Sequence, residues 1–181
     1  MLSRLDFRSL WQEGLSWSAF FAPDMDQRGL WEGVYNHVVL PEWALKAAAK
    51  IPGLKFLVIT EDWCGDAANL VPVVTKLAEA VPGLELRILP RDQYLEVMDR
   101  YLTNGSRSIP IVISLDAEFQ ELGHWGPRPS EIQAWVMANK DTMPKDKRYA
   151  EVRRWYARDK GETTLREILR VRNPSWSPSK S

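Results

Sequence analysis

The chain has 181 residues, 45% of them hydrophobic, which is enough for one buried core and too short for two ordinary domains. Lys and Arg together number 24 and so do Asp and Glu, so the overall charge says nothing about an acidic partner such as nucleic acid or a membrane surface, and only local clusters could. A single cysteine excludes an internal disulfide and agrees with a reducing compartment.

Residues 1–10 interrupt their apolar positions with Arg4, Asp6 and Arg8, unlike a secretory signal. No later stretch approaches the roughly 18 apolar residues of a membrane span, so a soluble cytoplasmic protein is expected. Residues 1–51 carry Trp11, Trp17, Trp31 and Trp43 between turn-forming Gly and Pro, and read as a helical N-terminal extension. Phe7, Leu10, Trp11 and Leu15 fall at helical spacing, and Pro41 opens a second helix over 41–50.

From residue 52 the pattern alternates. Residues 54–60 (LKFLVIT) form an apolar, partly β-branched run bounded by Pro52-Gly53 and Glu61-Asp62, which predicts a buried strand. Residues 64–80 predict a helix with Leu70, Val73, Val74 and Leu77 on one face and a kink at Pro72. A second strand is expected over 84–89, then a helix capped by Asp92 with Leu95, Val97, Met98 and Leu102 as its apolar face. Two parallel strands with a right-handed crossover follow.

Residues 110–115 and 119–125 are separated by only Asp116, Ala117 and Glu118, which demands an antiparallel hairpin. Pairing Asp116 with Phe119 would put Pro110 opposite Trp125 and beside His124. Ser130 and Gln133 have capping-box spacing for a helix to about residue 139. Two more helices are expected over 145–158 and 163–171, joined at Lys160-Gly161. The Pro- and Ser-rich end, 173–181, reads as a disordered tail. The expected organisation is one α/β domain over 1–172, with a core at 52–140 between helical extensions at 1–51 and 141–172.

Cys64 stands at the first turn of the helix after the first buried strand. Unpaired amides and the positive end of the helix dipole stabilise a thiolate there. Trp63-Cys64-Gly65 after an apolar strand, together with Arg107-Ser108-Ile109-Pro110 opening a hairpin, resembles the thioredoxin-like superfamily over residues 54–139. Residues 60–67 (TEDWCGDA), residues 123–129 (GHWGPRP) and the helical C-terminal extension are similar to a bacterial group of thioredoxin family proteins.

The resemblance implies a mixed sheet flanked by helices. It also implies a cis proline at Pro110 against the reactive Cys64, with the Ile109 backbone receiving a substrate backbone. Trp63, Gly65 and Asp66 would belong to the same site. In the same comparison Ala67 replaces the second, resolving cysteine, Asp66 replaces a proline, and Val58 stands where a buried carboxylate is common. A mixed disulfide at Cys64 would then need an outside thiol for release.

The helix-start amides place the Cys64 thiol below the free value of about 8.5, and Asp66, which opposes a nearby thiolate, makes the expected depression smaller than in two-cysteine relatives. His124 is a candidate proton donor or acceptor and Trp125 a candidate rim residue, with Arg107 and Arg128 as anchors for an anionic thiol. No metal site and no cofactor are expected, and His37 reads as structural. Residues 144–172 hold ten Lys or Arg against five Asp or Glu. Their apolar stripe of Tyr149, Val152, Trp155 and Tyr156 makes the cations a solvated face rather than a nucleic-acid surface.

Three functions stay open: monothiol thiol–disulfide exchange with a protein disulfide or low-molecular-weight thiol, a redox-silent module binding a peptide or protein, and nucleic-acid attachment through the basic C-terminal helix.

Overall fold

The computed structural model describes residues 4–172, so the tail expected over 173–181 lies outside the described residues. Four helices come first: α1 (Phe7–Glu13), α2 (Trp17–Phe20), α3 (Arg28–His37) and α4 (Glu42–Ala49). The centre holds β1 (Lys55–Thr60), α5 (Gly65–Ala80), β2 (Glu85–Pro90), the short α6 (Leu95–Met98), β3 (Ile111–Leu115) and β4 (Glu121–Trp125). Helices α7 (Ser130–Asn139), α8 (Lys145–Asp159) and α9 (Glu162–Arg172) follow.

The strands form one mixed sheet in the order β2-β1-β3-β4, with β1 and β2 parallel and the other pairs antiparallel. Central β1 buries Phe56, Leu57, Val58 and Ile59 completely, because helices cover both of its faces. Helix α5 runs unbroken past Pro72 and buries Leu70, Val71, Val74 and Leu77. No helix among the described residues is long and apolar enough to cross a membrane.

The N-terminal third braces the sheet and the loop after β1. Leu15 exchanges two backbone hydrogen bonds with Ile88, 2.8 Å and 2.9 Å long, on the outer side of β2. Trp17 stacks on Phe21 and Tyr35, and fully buried Trp31 meets Phe20 edge to face. Each such aromatic pair adds about 1 kcal/mol beyond its burial.

Several local expectations are corrected by the hydrogen bonds that form. The hairpin loop spans residues 116–120, because Asp116 Oδ1 accepts the amides of Glu118 and Gln120. Val112 therefore pairs with Trp125 and Ile113 with His124, with a bulge between Ser114 and Leu115. Ser130 and Gln133 do not form a capping box: the Ser130 amide and hydroxyl both donate to Glu167 on α9. The expected helix after Asp92 is reduced to a 3-10 turn at Arg91–Gln93 and α6, leaving Leu102 exposed. In the C-terminal pair, Lys160 and Gly161 both adopt positive φ, and a Cβ on Gly161 would lie 2.6 Å from Val73. This glycine lets the α8–α9 turn press against α5.

Candidate functional site

The loop from Glu61 to Trp63 is held from several sides before it delivers Cys64. Trp31 Nε1 donates to the Asp62 carbonyl at 2.8 Å, and the Asp26 amide donates to Asp62 Oδ2 at 2.9 Å. Gln27 Nε2 donates to the Trp63 carbonyl, and the Asp92 amide donates to Glu61 Oε1 at 2.9 Å. The N-terminal extension thus positions the site instead of lying apart from it.

Cys64 is the N-cap of α5, in extended conformation at φ −80° and ψ 113°. Its Sγ accepts the Ala67 amide at 3.4 Å, satisfying one of the unpaired donors of the first turn. On the other side the thiol donates to the Ile109 carbonyl at 3.6 Å, immediately before the cis Ile109-Pro110 bond. The sulfur, the amide at the helix start and the imide loop therefore meet.

The thiol is not depressed, contrary to the sequence-based expectation. Cys64 is 8% exposed, and burial pushes its thiol from 9.0 up to about 11. The Ala67 amide and, more weakly, Arg128 act in the opposite sense, while the Asp66 carboxylate adds to the rise. Desolvation outweighs the helix-start donors, so the resting group is a thiol.

Asp66 is itself enclosed. Arg128 donates to both carboxylate oxygens, at 2.9 Å from Nε and 2.8 Å from Nη2, and Tyr156 Oη donates to Oδ1 at 2.6 Å. The third arm of Arg128 donates to Gln133 Oε1 at 2.8 Å. The carboxylate is consumed by a buried pair beneath α8, and Arg128 serves it before any external anion. Sequence reading missed Tyr156 and Gln133 in this cluster: the first fits an apolar stripe and the second a helix cap, and nothing local betrays their polar atoms.

Trp63 is 44% exposed at the rim, with the Arg91 guanidinium 5.0 Å from its ring centre. Arg91 also donates to the Arg107 carbonyl, while the Arg107 side chain pairs with Asp99 at 2.7 Å. Gly65 opens α5 and its carbonyl accepts Asn69 Nδ2.

The pairing expected to set His124 and Trp125 beside Pro110 is not formed. The longer hairpin loop shifts their pairing by two residues, about 7 Å along the strand from where Pro110 lies. His124 meets the Tyr101 ring edge to face and sits beside Glu121. Trp125 is buried and donates from Nε1 to Glu167 on α9. The residue that does reach the imide loop is Gly126, where a Cβ would lie 2.2 Å from the Pro110 carbonyl oxygen.

Two solved structures share the fold. One is a Pseudomonas aeruginosa protein of unknown function, 20% identical, with a TM-score of 0.76 over 96% of this chain and 100% of that one. The other is an HIV epitope scaffold, 19% identical, with a TM-score of 0.74 over 95% of this chain and 100% of that one. No curated protein matches the sequence. The family model described as Thioredoxin matches residues 14–163, spanning the bracing helices, the Cys64 turn, the imide loop and α8. The chain, an α/β protein of thioredoxin-like fold, belongs to that thioredoxin family.

Proposed function

We propose that this chain is a monothiol thiol–disulfide exchange protein acting through Cys64, with Pro110 and the Ile109 backbone receiving the partner. What supports this reading is the contact of one sulfur with the Ala67 amide and the Ile109 carbonyl, 3.4 Å and 3.6 Å away. In the exchange, Cys64 gives up its proton and attacks one sulfur of a partner disulfide. A new S–S bond joins Cys64 to that sulfur, and the other leaves as a thiolate that takes up the proton. Ala67 offers no second thiol, so an outside thiol attacks the partner sulfur of the mixed disulfide and returns Cys64 to its reduced form. A cytoplasmic pool of low-molecular-weight thiol would supply it.

The resting proton points at the Ile109 carbonyl. A partner whose backbone N–H takes that carbonyl removes the thiol's acceptor and leaves the Ala67 amide facing the sulfur, which favours the thiolate. Partner binding and activation are then one event. The test compares two rates at Cys64 with those of a free-cysteine peptide: exchange with oxidised glutathione, a disulfide that carries backbone N–H groups, followed by mass spectrometry, and alkylation by iodoacetamide. The ratio of exchange to alkylation should exceed the peptide's at least several-fold. An equal ratio rejects the reading.

The burial of Cys64, with its thiol pushed up to about 11, favours a second reading: a redox-silent module that keeps the groove at Pro110 for a peptide or protein. That reading expects no mixed disulfide with the native protein. Formation of one while the chain stays folded counts against it.

A further inference from the structure

We propose that the cavity between residues 103–108, α7 and α8 is the specificity pocket for a carboxylate-bearing low-molecular-weight disulfide, a substrate class that rests on the exchange reading above. The cavity measures 220 Å³, smaller than the roughly 300 Å³ and upward of a drug-sized site. Arg128, Lys140 and Arg148 contribute to its lining, and no Asp or Glu does. Arg128 is neutralised by Asp66, but neither Lys140 nor Arg148 has an ion-pair partner among the described residues. Arg148 is fixed in place by donating to the carbonyls of Lys140 and Met143.

The wall is mixed. Ser106, Ser108 and Tyr149 bring hydroxyls, while Val136, Met137 and Val152 bring apolar surface. Such a lining suits an anionic group on a short carbon stem. Charge alone does not single the cavity out, because a larger one of 940 Å³ holds Arg4, Arg8 and Arg100. That one also holds Asp6, Glu118 and Glu121, so its field is self-compensated.

Ser108 lines the cavity and directly precedes Ile109, whose carbonyl faces the Cys64 sulfur. Arg128 lines it too, and its other donors hold Asp66 in the same helical turn as Cys64. In this proposal the carboxylate enters toward Lys140 and Arg148 and the sulfurs lie toward Ser108, next to the Ile109 carbonyl that Cys64 meets. The step itself is the balanced exchange already described.

The experiment measures adduct formation at Cys64 with three small disulfides of different charge. They are 3,3′-dithiodipropionate (anionic), 2-hydroxyethyl disulfide (neutral) and cystamine (cationic), each divided by its rate with a free-cysteine peptide. The anionic disulfide should exceed the neutral one about tenfold, with cystamine slowest. Lys140→Glu, at an exposed position, should abolish or invert that order. Equal normalised rates, or an order unmoved by Lys140→Glu, overturn the pocket assignment while leaving exchange intact. No adduct with any of the three overturns exchange instead. The pocket is then judged by calorimetric titration of Cys64→Ser protein with dithiodipropionate and cystamine, where selective binding of the anion upholds it and equal or absent binding overturns it.

Discussion

The Arg128 guanidinium holds both carboxylate oxygens of Asp66, one residue after Gly65 and two after Cys64, in a pair that is almost wholly enclosed. Two charges that have both left water are costly to separate. Arg128→Met, which leaves Asp66 buried and unpaired, is expected to lower stability by about 3–5 kcal/mol in urea unfolding. Tyr156→Phe removes only the 2.6 Å hydrogen bond to the same carboxylate and should cost about 1.5–3 kcal/mol. Arg128→Met should also raise the Cys64 thiol further, seen as a later onset of thiolate absorbance on alkaline titration. A loss no larger than that of Tyr156→Phe would show that the pair is more hydrated than its burial implies.

Alkylation of Cys64 follows from the same local field. With the thiol near 11 rather than 9.0, the thiolate fraction at neutral pH is about 100-fold smaller than in an unperturbed thiol. Iodoacetamide should therefore react at pH 7 at least about 100 times more slowly than with a cysteine peptide. The rate should climb about tenfold per pH unit toward 11. A plateau near pH 8 would mean that the helix-start amides prevail over desolvation.

The raised thiol also predicts a pH dependence of folding. The unfolded chain's thiol ionises near 9.0 and the folded one near 11, so between those values the unfolded state carries fewer protons and stability falls as pH rises. The contribution is complete below about pH 9 and gone above about pH 11, worth about 3 kcal/mol over two units. Burial likewise pushes up Tyr101 and Tyr156, which steepen the fall at the alkaline end. The share due to Cys64 is the difference in slope between the native protein and Cys64→Ala, from urea midpoints across this range. Parallel slopes would refute it.

Gly126 combines a positive φ of 127° with a direct approach to the Pro110 carbonyl. Gly126→Ala is expected to cost roughly 3 kcal/mol through backbone strain and collision together. Gly83→Ala, also at positive φ but with open space around it, should cost only about 1–2 kcal/mol. Thermal unfolding of the two variants separates the effects. Equal losses would mean that the imide loop gives way freely.

The parallel first pair of strands, the hairpin and the helix-start position of Cys64 could be read from residues because their signals are short in range, whereas the Ile109-Pro110 contact, 45 residues away, came only through the family resemblance. Residues 55–60 are apolar without alternation, a pattern that suits a strand covered on both faces, and Cys64 follows directly. Failures arose where a side-chain acceptor, near or distant, took backbone donors that the simpler local pattern had assigned elsewhere. Asp116 captured two amides and lengthened the hairpin loop, moving His124 away from the imide. Glu167 took the Ser130 donors that a capping box would have used. The thiol's acidity was misjudged for a related reason: first-turn donors are visible in sequence, whereas the enclosing wall of α8 and residues 109–110 assembles only in three dimensions.

The bridge between Leu15 and Ile88 has a consequence for solubility. It occupies backbone groups on β2 that would otherwise invite another molecule's strand, and Arg87 ties the adjoining Gly14 carbonyl at 2.9 Å. Trimming the chain through Leu15 would unmask that border, and the shortened protein would tend toward sheet-to-sheet oligomers even while its Cys64 turn stayed formed.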